Sequence, residues 1–299
     1  MIIDRSLVDS PNKAAGFAEK CERIFAQAVE TAAERIATCG SIRAVTLSGP
    51  SCSGKTTASA ALIAALKKYN KRGVIISIDD FYYSRDELYS RGIFDFEGIE
   101  AIDTPYFSQC VEKLLYGEEV YLPHFSFVEK KRVSLTPYTP APSDIFIFEG
   151  IQAVYPEIIH ILDGFERIAV FICVDSSLTV GNTTFSPTDI RLMRRCVRDH
   201  YHRATSLLET LEIWDSVRSN EERGIFPFVE KNALRIDSLI PYEIFIIGKE
   251  FLRLSENVPK DNKYFGTVQS LRKKLGVIMN DNFSFDLVAE GSLIREFSE

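Results

Sequence analysis

The chain has 299 residues, and its 35 Lys and Arg against 42 Asp and Glu give a formal net charge of −7, which argues against a protein that coats nucleic acid. Hydrophobic residues make up 45% of the sequence, so a sizeable core is available, but no apolar stretch reaches the roughly 20 residues that a membrane span needs. The six cysteines are scattered without a C-x-x-C pair, which argues against a zinc site or a disulfide framework. We therefore expect a cytoplasmic protein without membrane or nucleic-acid partners.

The first predicted element is a long amphipathic helix. Between residues 13 and 39, apolar side chains such as Phe17, Cys21 and Phe25 recur at helical spacing, with charged side chains between them. Gly40 ends this pattern. We assign residues 1–40 to an N-terminal helical leader.

Short apolar runs then predict the strands of a parallel sheet. Five such runs occur, at 44–48, 74–77, 145–148, 168–174 and 244–247. The last of them is the weakest candidate for a strand. An Ala-rich helix from about residue 55 to 69 follows the first run, which gives the β-loop-α-β order of a parallel sheet. We predict an α/β domain over 41–250, with five or slightly more parallel strands and helices on both faces. Residues 251–299 would form a C-terminal extension packed on it.

Between the first strand and its helix lies a sequence that is typical of a phosphate-binding loop. Residues 49–56, Gly-Pro-Ser-Cys-Ser-Gly-Lys-Thr, match G-x-x-x-x-G-K-[ST] in the strand-then-helix context that the motif requires. Glycines let the backbone approach phosphate oxygens, and successive N–H groups form an anion nest. Lys55 would reach the β and γ phosphates of ATP, and the Thr56 hydroxyl would ligate Mg²⁺. The predicted nucleotide-binding residues here are Gly49, Ser51, Cys52, Ser53, Gly54, Lys55, Thr56 and Thr57.

The rest of the sequence narrows the class of nucleotide-binding protein. It contains neither the N-K-x-D motif of a guanine-nucleotide switch nor the L-S-G-G-Q signature of a transporter ATPase. Asp79 and Asp80 directly follow the second strand, at the edge where open α/β sheets bind ligands. Phosphoryl transfer needs an oriented nucleophile more than a strong base, and a carboxylate of ordinary pKa can provide that orientation. We therefore favour a small-molecule kinase with Asp79 beside the acceptor hydroxyl.

Several segments resemble the uridine kinase and phosphoribulokinase family, in the same order along the chain. After the phosphate loop, the D-x-F-Y pattern of residues 79–82 is similar to the acceptor-side signature of that family. The segments P-H-F-S-F at 123–127, I-F-E-G-I at 147–151 and T-D-I-R-L-M-R-R-C-V-R-D at 188–199 also agree. The match spans about 44–247. It implies a P-loop NTPase-type parallel sheet with an arginine-rich helical lid at about 188–220, and an ATP- and Mg²⁺-dependent kinase.

The resemblance also implies roles for individual residues. Asp79 would orient the acceptor hydroxyl, and Glu149 would lie near Mg²⁺. In the lid, Arg194 and Arg198 would act in catalysis and Arg203 would bind the nucleotide. The predicted acceptor-binding residues are Asp79, Tyr82, Glu97, Phe125, Phe127, Lys130 and Arg191. A homo-oligomer is possible, because relatives often form dimers or tetramers.

The acceptor is the least determined part of this hypothesis. Uridine or cytidine is favoured, but Phe125 stands where pyrimidine nucleoside kinases usually have a tyrosine, and Lys130 where they have a histidine. About ten extra residues between Asp175 and Asp189 could reshape the entrance to the site. Cations in the region of residues 82 to 132 keep a sugar phosphate such as ribulose 5-phosphate open; they are Arg85, Arg91, Lys130, Lys131 and Arg132. Relatives also use pantothenate or glycerate. A non-catalytic ATP sensor is the third alternative, which the presence of Lys55, Thr56 and Asp79 disfavours.

Overall fold

A computed structural model of the protein describes residues 1–40, 42–94 and 98–297. The strands are β1 (Ile2–Ile3), β2 (Ala44–Ser48), β3 (Arg72–Ser77), β4 (Val120–Ser126), β5 (Lys131–Tyr138), β6 (Asp144–Glu149), β7 (Arg167–Cys173), β8 (Leu178–Val180), β9 (Thr183–Phe185) and β10 (Leu234–Asp237). The helices are α1 (Pro11–Thr38), α2 (Lys55–Leu66), α3 (Arg85–Ser90), α4 (Thr104–Tyr116), α5 (Pro156–Ile161), α6 (Pro187–Arg203), α7 (Leu207–Gly224), α8 (Glu243–Leu254) and α9 (Phe265–Ile278).

The central sheet has five strands in the order β10-β7-β2-β6-β3, and every neighbouring pair is parallel. The predicted strands 44–48 and 145–148 are therefore neighbours, with Ala44 opposite Phe146. At the carboxyl edge, Ser77 at the end of β3 lies opposite Glu149 at the end of β6. This register brings the loops after β2, β3 and β6 to one edge of the sheet, where such folds bind ligands.

Alternate side chains of the strands enter two separate apolar layers, because successive residues of a strand point to opposite faces. Val45 and Leu47 of β2 pack with Leu62 of α2, in a cluster that also contains buried residues of α1, α6, α8 and α9. Phe146 and Phe148 of β6 pack on the other face against buried residues of α4 and α5. The predicted parallel sheet with helices on both faces is confirmed.

The fifth strand is not the one that the sequence suggested. Residues 244–247 lie inside helix α8, where Ile244, Phe245 and Ile247 are all buried. A short apolar run fits a buried helix as well as a buried strand, so the interpretation as a strand was wrong. The edge position belongs to β10 instead, which pairs with β7 over four residues.

The arginine-rich segment at 188–220 is divided into two helices. Ala204, with a φ of 49°, ends α6, and Ser206 caps the start of α7. Most of α6 is built into the core through side chains such as Leu192, Met193 and Cys196. The first of the two helices is therefore a packed layer of the domain.

The terminal segments pack on the same core. The long leader helix α1 and the C-terminal residues Leu293, Ile294 and Phe297 all belong to the cluster on the α2 face. The extra residues after Asp175 form a β8–β9 hairpin, and its first strand pairs with β1. In the described part of the chain, no helix combines the length and the apolar character that a bilayer crossing requires.

Candidate active site

The loop after β2 needs glycine at both ends of its motif. A Cβ atom at position 49 would lie 2.0 Å from the carbonyl oxygen of Ile172. Gly54 has a φ of 84°, in the left-handed region that favours glycine, and it forms the N-cap of α2. Cys52 also takes a positive φ of 59°. The backbone of the loop is thus wound tightly around the start of α2, as the motif predicts.

Two arginines of α6 hold this loop from its buried side. Arg191 donates from Nε to the carbonyl oxygen of Ser51 over 3.0 Å, and Arg194 donates to the carbonyl oxygen of Cys52 over 3.1 Å. Both side chains are buried, and each is paired with a buried carboxylate of another helix. The structure therefore corrects the expected roles of Arg194 at the transferred phosphate and Arg191 at the acceptor: both guanidinium groups are engaged in supporting the loop.

Other arginines of α6 lie closer to the proposed chemistry. Arg195 and Arg203 line the cavity beside the loop, and Arg195 also donates to the Ser51 hydroxyl over 2.8 Å. Arg198 is bound to the Asp199 carboxylate over 2.7 Å and does not line the cavity. Asp199 also pairs with Arg195 and Arg203, so one buried carboxylate holds three guanidinium groups together.

The motif lysine and two acidic side chains meet at the carboxyl edge of the sheet. The Lys55 ammonium donates to the carbonyl oxygens of Gly49 and Pro50, over 3.0 and 3.3 Å. Burial raises the pKa of Asp79, and the charge of Lys55 partly offsets that rise. Burial likewise raises the pKa of Glu149. The charge of Lys55 lowers this pKa, and the charge of the nearby Asp79 raises it further. The three groups are thus close enough to influence one another's ionisation.

A cavity of about 540 Å³ joins the phosphate loop at Ser51 to Asp79. Aromatic side chains form one wall: Tyr82 and Phe125 have ring centroids 5.8 Å apart, and Phe125 and Phe127 are 5.2 Å apart. Lys130, at the tip of the hairpin that carries both phenylalanines, lies at the mouth with Arg203. The structure therefore brings together the predicted residues Asp79, Tyr82, Phe125, Phe127, Lys130 and Arg203.

Asp80, the neighbour of Asp79, has a supporting role. Its carboxylate accepts a 2.9 Å hydrogen bond from the backbone N–H of Phe125 and lies 3.2 Å from the His124 ring. The β4–β5 hairpin is thereby tied to the end of β3. Glu97, which the resemblance placed among the acceptor-binding residues, lies outside the described residues.

Only some of the five cations that could bind a sugar phosphate face the cavity. Arg85 and Lys130 line it. Arg91 stacks on the Tyr83 ring at 3.8 Å, Arg132 pairs with Asp103 at 2.9 Å, and Lys131 pairs with Glu129 at 3.2 Å. The positive charge at the mouth is therefore smaller than the sequence count suggests.

Sequence reasoning missed several residues of this site. Gln152, after β6, donates to the Tyr82 hydroxyl over 2.8 Å and lines the cavity. Glu221 of α7 accepts from the backbone N–H of Ser51 over 3.1 Å. Glu296, near the C-terminus, accepts from the N–H and hydroxyl of Thr57, over 3.2 and 2.8 Å. Gln152 could have been found, because it follows the carboxyl end of a predicted strand; the other two are distant in sequence and carry no local signal.

The residues at the loop fit a magnesium ion that arrives with a nucleotide. Among the described residues, no three His, Cys, Asp or Glu side chains come together to hold a metal. Mg²⁺ bound with phosphates needs only one or two oxygen ligands from the protein. The exposed Thr56 at the start of α2 and the Glu149 carboxylate at the end of β6 are oxygen donors of that kind.

Comparison with known proteins adds an independent observation. The model of the phosphoribulokinase / uridine kinase family matches residues 44–244, more than half of the chain. Uridine kinase from Schizosaccharomyces pombe is 31% identical over 206 residues, which are 67% of this chain and 40% of that protein. Uridine kinase from Borrelia duttonii is 28% identical over 201 residues, which are 67% of this chain and 86% of that protein. The chain thus spans less than half the length of the fission-yeast relative.

Among solved structures, a possible uridine kinase from Bacillus stearothermophilus superposes with a TM-score of 0.42 and is 19% identical. The superposition covers 48% of this chain and 79% of that one.

Proposed function

Since the chain belongs to the phosphoribulokinase / uridine kinase family, we propose that it is an ATP-dependent kinase that transfers the γ-phosphoryl group to a hydroxyl of a nucleoside, with uridine or cytidine as the favoured acceptor. The observation that carries this proposal is the cavity that joins Ser51 of the phosphate loop to Asp79. A nucleotide phosphate at one end and an acceptor hydroxyl at the other would meet within it.

The proposed reaction assigns separate tasks to the two ends. The loop N–H groups and Lys55 bind the phosphates, while Asp79 accepts a hydrogen bond from the acceptor hydroxyl and directs its oxygen at phosphorus. The transition state of phosphoryl transfer is usually loose, so orientation and charge stabilisation contribute more than basicity. Arg195 and Arg203 supply positive charge at the cavity. Mg²⁺, held through Thr56 and Glu149, would neutralise charge on the phosphates when bound.

The aromatic wall supports a nucleoside as the acceptor. Tyr82, Phe125 and Phe127 present three ring faces or edges to the same cavity. Planar bases stack on such side chains with little dependence on the base. An acceptor such as glycerate would leave this apolar surface without a partner.

A phosphorylated sugar is the second candidate acceptor, because Arg85, Lys130 and Arg203 all line the cavity. Three cations at one mouth could bind a substrate phosphate.

An acceptor panel distinguishes these proposals. The purified protein is incubated with ATP and Mg²⁺, and ADP release is followed with uridine, cytidine, adenosine, guanosine, ribulose 5-phosphate, pantothenate or glycerate. A nucleoside-dependent rate supports the leading proposal, and a rate with ribulose 5-phosphate alone supports the second. ATP binding without turnover on any acceptor would contradict both and favour a sensor.

A further inference from the structure

Gln152 lies beside the two polar side chains on the acceptor side of the cavity. It is 3% exposed and donates from Nε2 to the Tyr82 hydroxyl over 2.8 Å. It lines the same cavity as Asp79, and its amide lowers the pKa of Asp79 against the effect of burial. Its Oε1 atom is buried and has no hydrogen-bond partner in the described part of the chain. An amide group offers two N–H donors, and the Tyr82 hydroxyl takes one of them.

This arrangement is unfavourable for stability alone, because a buried carbonyl without a partner is costly and a leucine of similar size would avoid that cost. We propose that Gln152 is a positioning residue, which holds Asp79 and Tyr82 in the orientation that the acceptor hydroxyl requires. This inference rests on the proposed kinase function.

A double-mutant cycle tests whether Gln152 acts through Asp79. Gln152→Leu should lower kcat by about tenfold or more, with KM for ATP within about twofold, since the phosphate loop is untouched. In an Asp79→Asn background the same change should cost less than about twofold, because the group that Gln152 positions is already lost. Equal losses of kcat in the two backgrounds would overturn the proposal.

The wild type, the two single variants and the double variant can also be compared by chemical unfolding, which does not need activity. If the two residues interact, the shift of the unfolding midpoint in the double variant differs from the sum of the two single shifts. If they are independent, it equals that sum. Additive midpoints would reject the contact itself. Non-additive midpoints in a protein that phosphorylates no acceptor would reject the proposed function while retaining the link between Gln152 and Asp79.

The C-terminal segment carries a second, independent observation. Glu296 accepts hydrogen bonds from both the backbone N–H and the hydroxyl of Thr57. The segment is anchored beside these contacts: the Leu293 side chain is within 2.3 Å of where a Cβ of Gly54 would lie, and the Phe297 ring lies 4.8 Å from the Arg194 guanidinium. A carboxylate therefore takes hydrogen-bond donors at the first turn of α2, where the nucleotide phosphates are proposed to bind.

An anion at a helix N-terminus is favourable, and the same donors cannot serve two anions at once. The Glu296 charge also raises the pKa of Glu149, so it adds negative charge to the phosphate end of the site. We infer that Glu296 competes with the nucleotide for Thr57, so that the C-terminal segment lowers nucleotide affinity. This inference also rests on the proposed function.

Nucleotide affinity measured by calorimetry, with ADP as the probe, tests the competition. Glu296→Ala in the full chain should lower the Kd for ADP by roughly fivefold or more. In the wild type, Glu296 occupies the Thr57 donors in a fraction of the molecules, and this reduces the apparent affinity for ADP. Glu290→Ala is the matched control: it removes the same charge from an exposed position of the same segment and should leave the Kd unchanged.

An unchanged or higher Kd for Glu296→Ala, with wild-type protein binding ADP, would overturn the competition and leave the kinase proposal intact. If neither protein binds ADP, both the competition and the kinase proposal are overturned.

Discussion

Arg194 and Glu243 form a fully buried ion pair beneath the phosphate loop, with N–O distances of 2.6 and 2.8 Å. Arg194 also donates to the carbonyl oxygen of Cys52, so the pair connects the start of α8 to the loop through α6. Buried charges are tolerated only when paired and hydrogen-bonded, and here every contact of the guanidinium is made within the protein. The arginine expected to stabilise the transferring phosphate instead supports the backbone that would bind it.

Removal of one partner should therefore destabilise the protein strongly. Arg194→Met leaves the Glu243 carboxylate buried without its partner and should lower the free energy of unfolding by about 3–5 kcal/mol. Arg23→Met is the matched control, since both side chains of the Arg23–Glu19 pair are 69% exposed, and it should cost less than about 1 kcal/mol. Urea unfolding of the three proteins measures both values. Equal midpoints for the two variants would show that the pair does not stabilise the fold.

Lys55→Ala should abolish phosphoryl transfer and leave the fold intact. The lost charge lies at the proposed position of the transferring phosphate, and loss of one such electrostatic group usually costs at least about a hundredfold in turnover. Lys68→Ala removes an exposed lysine near the end of the same helix and should retain normal turnover. Circular dichroism checks the fold, and a coupled ADP assay gives the rate. Near-normal turnover of Lys55→Ala would reject the mechanism.

Asp79→Asn should reduce turnover by at least about a hundredfold while ATP affinity changes little. The same change should also raise the melting temperature at neutral pH. The reason is that burial raises the pKa of Asp79 in the folded protein, so the ionised carboxylate is held at a cost.

The pH dependence of that stabilisation has a definite sign. An acid whose folded-state pKa is raised loses stability as the pH rises from its ordinary value, 3.8, through the folded value. The advantage of Asp79→Asn should therefore be absent near pH 4 and should grow as the pH rises above that value. Thermal melts of both proteins across this range test it, and an advantage that shrinks as the pH rises would contradict the assigned cause.

Discrimination between uridine and cytidine should be weak or altered. Phe125 cannot donate the hydrogen bond of a tyrosine hydroxyl, and the Lys130 ammonium has no acceptor where pyrimidine nucleoside kinases carry a histidine. Sites that select by hydrogen bonding lose selectivity steeply when such a group is absent. The kcat/KM ratios for uridine, cytidine and purine nucleosides measure this, with a Phe125→Tyr, Lys130→His variant expected to sharpen them. A strong native preference for one pyrimidine would show that other residues read the base.

The sequence allowed the sheet to be predicted because its strands are short apolar runs with turn or charged residues at each end. The prediction failed at β10, because its sequence Leu-Arg-Ile-Asp has a polar residue at every second position. It also failed at residues 244–247, which form part of a helix buried on several sides. Local patterns decide neither case, because burial by the rest of the fold selects between helix and strand.

At the candidate site, the sequence indicated the positions of residues that belong to a local motif, but not of residues whose position depends on distant partners. The phosphate loop, Asp79 and the aromatic hairpin lie where their spacing indicated. Arg191 and Arg194 could not be separated from Arg195 by sequence, since the choice depends on Glu221 and Glu243, which lie tens of residues away. The link from Glu296 to Thr57 spans 239 residues and has no sequence signature.

Transfer of labelled phosphate tests the central claim most directly. The protein is incubated with γ-labelled ATP, Mg²⁺ and uridine, and in parallel with the 2′-, 3′- and 5′-deoxy analogues of uridine; the products are separated and the label is located. We expect label on the nucleoside with uridine, and no label on the one analogue that lacks the accepting hydroxyl. Label released only as inorganic phosphate, or remaining entirely on ATP with every nucleoside, would contradict it.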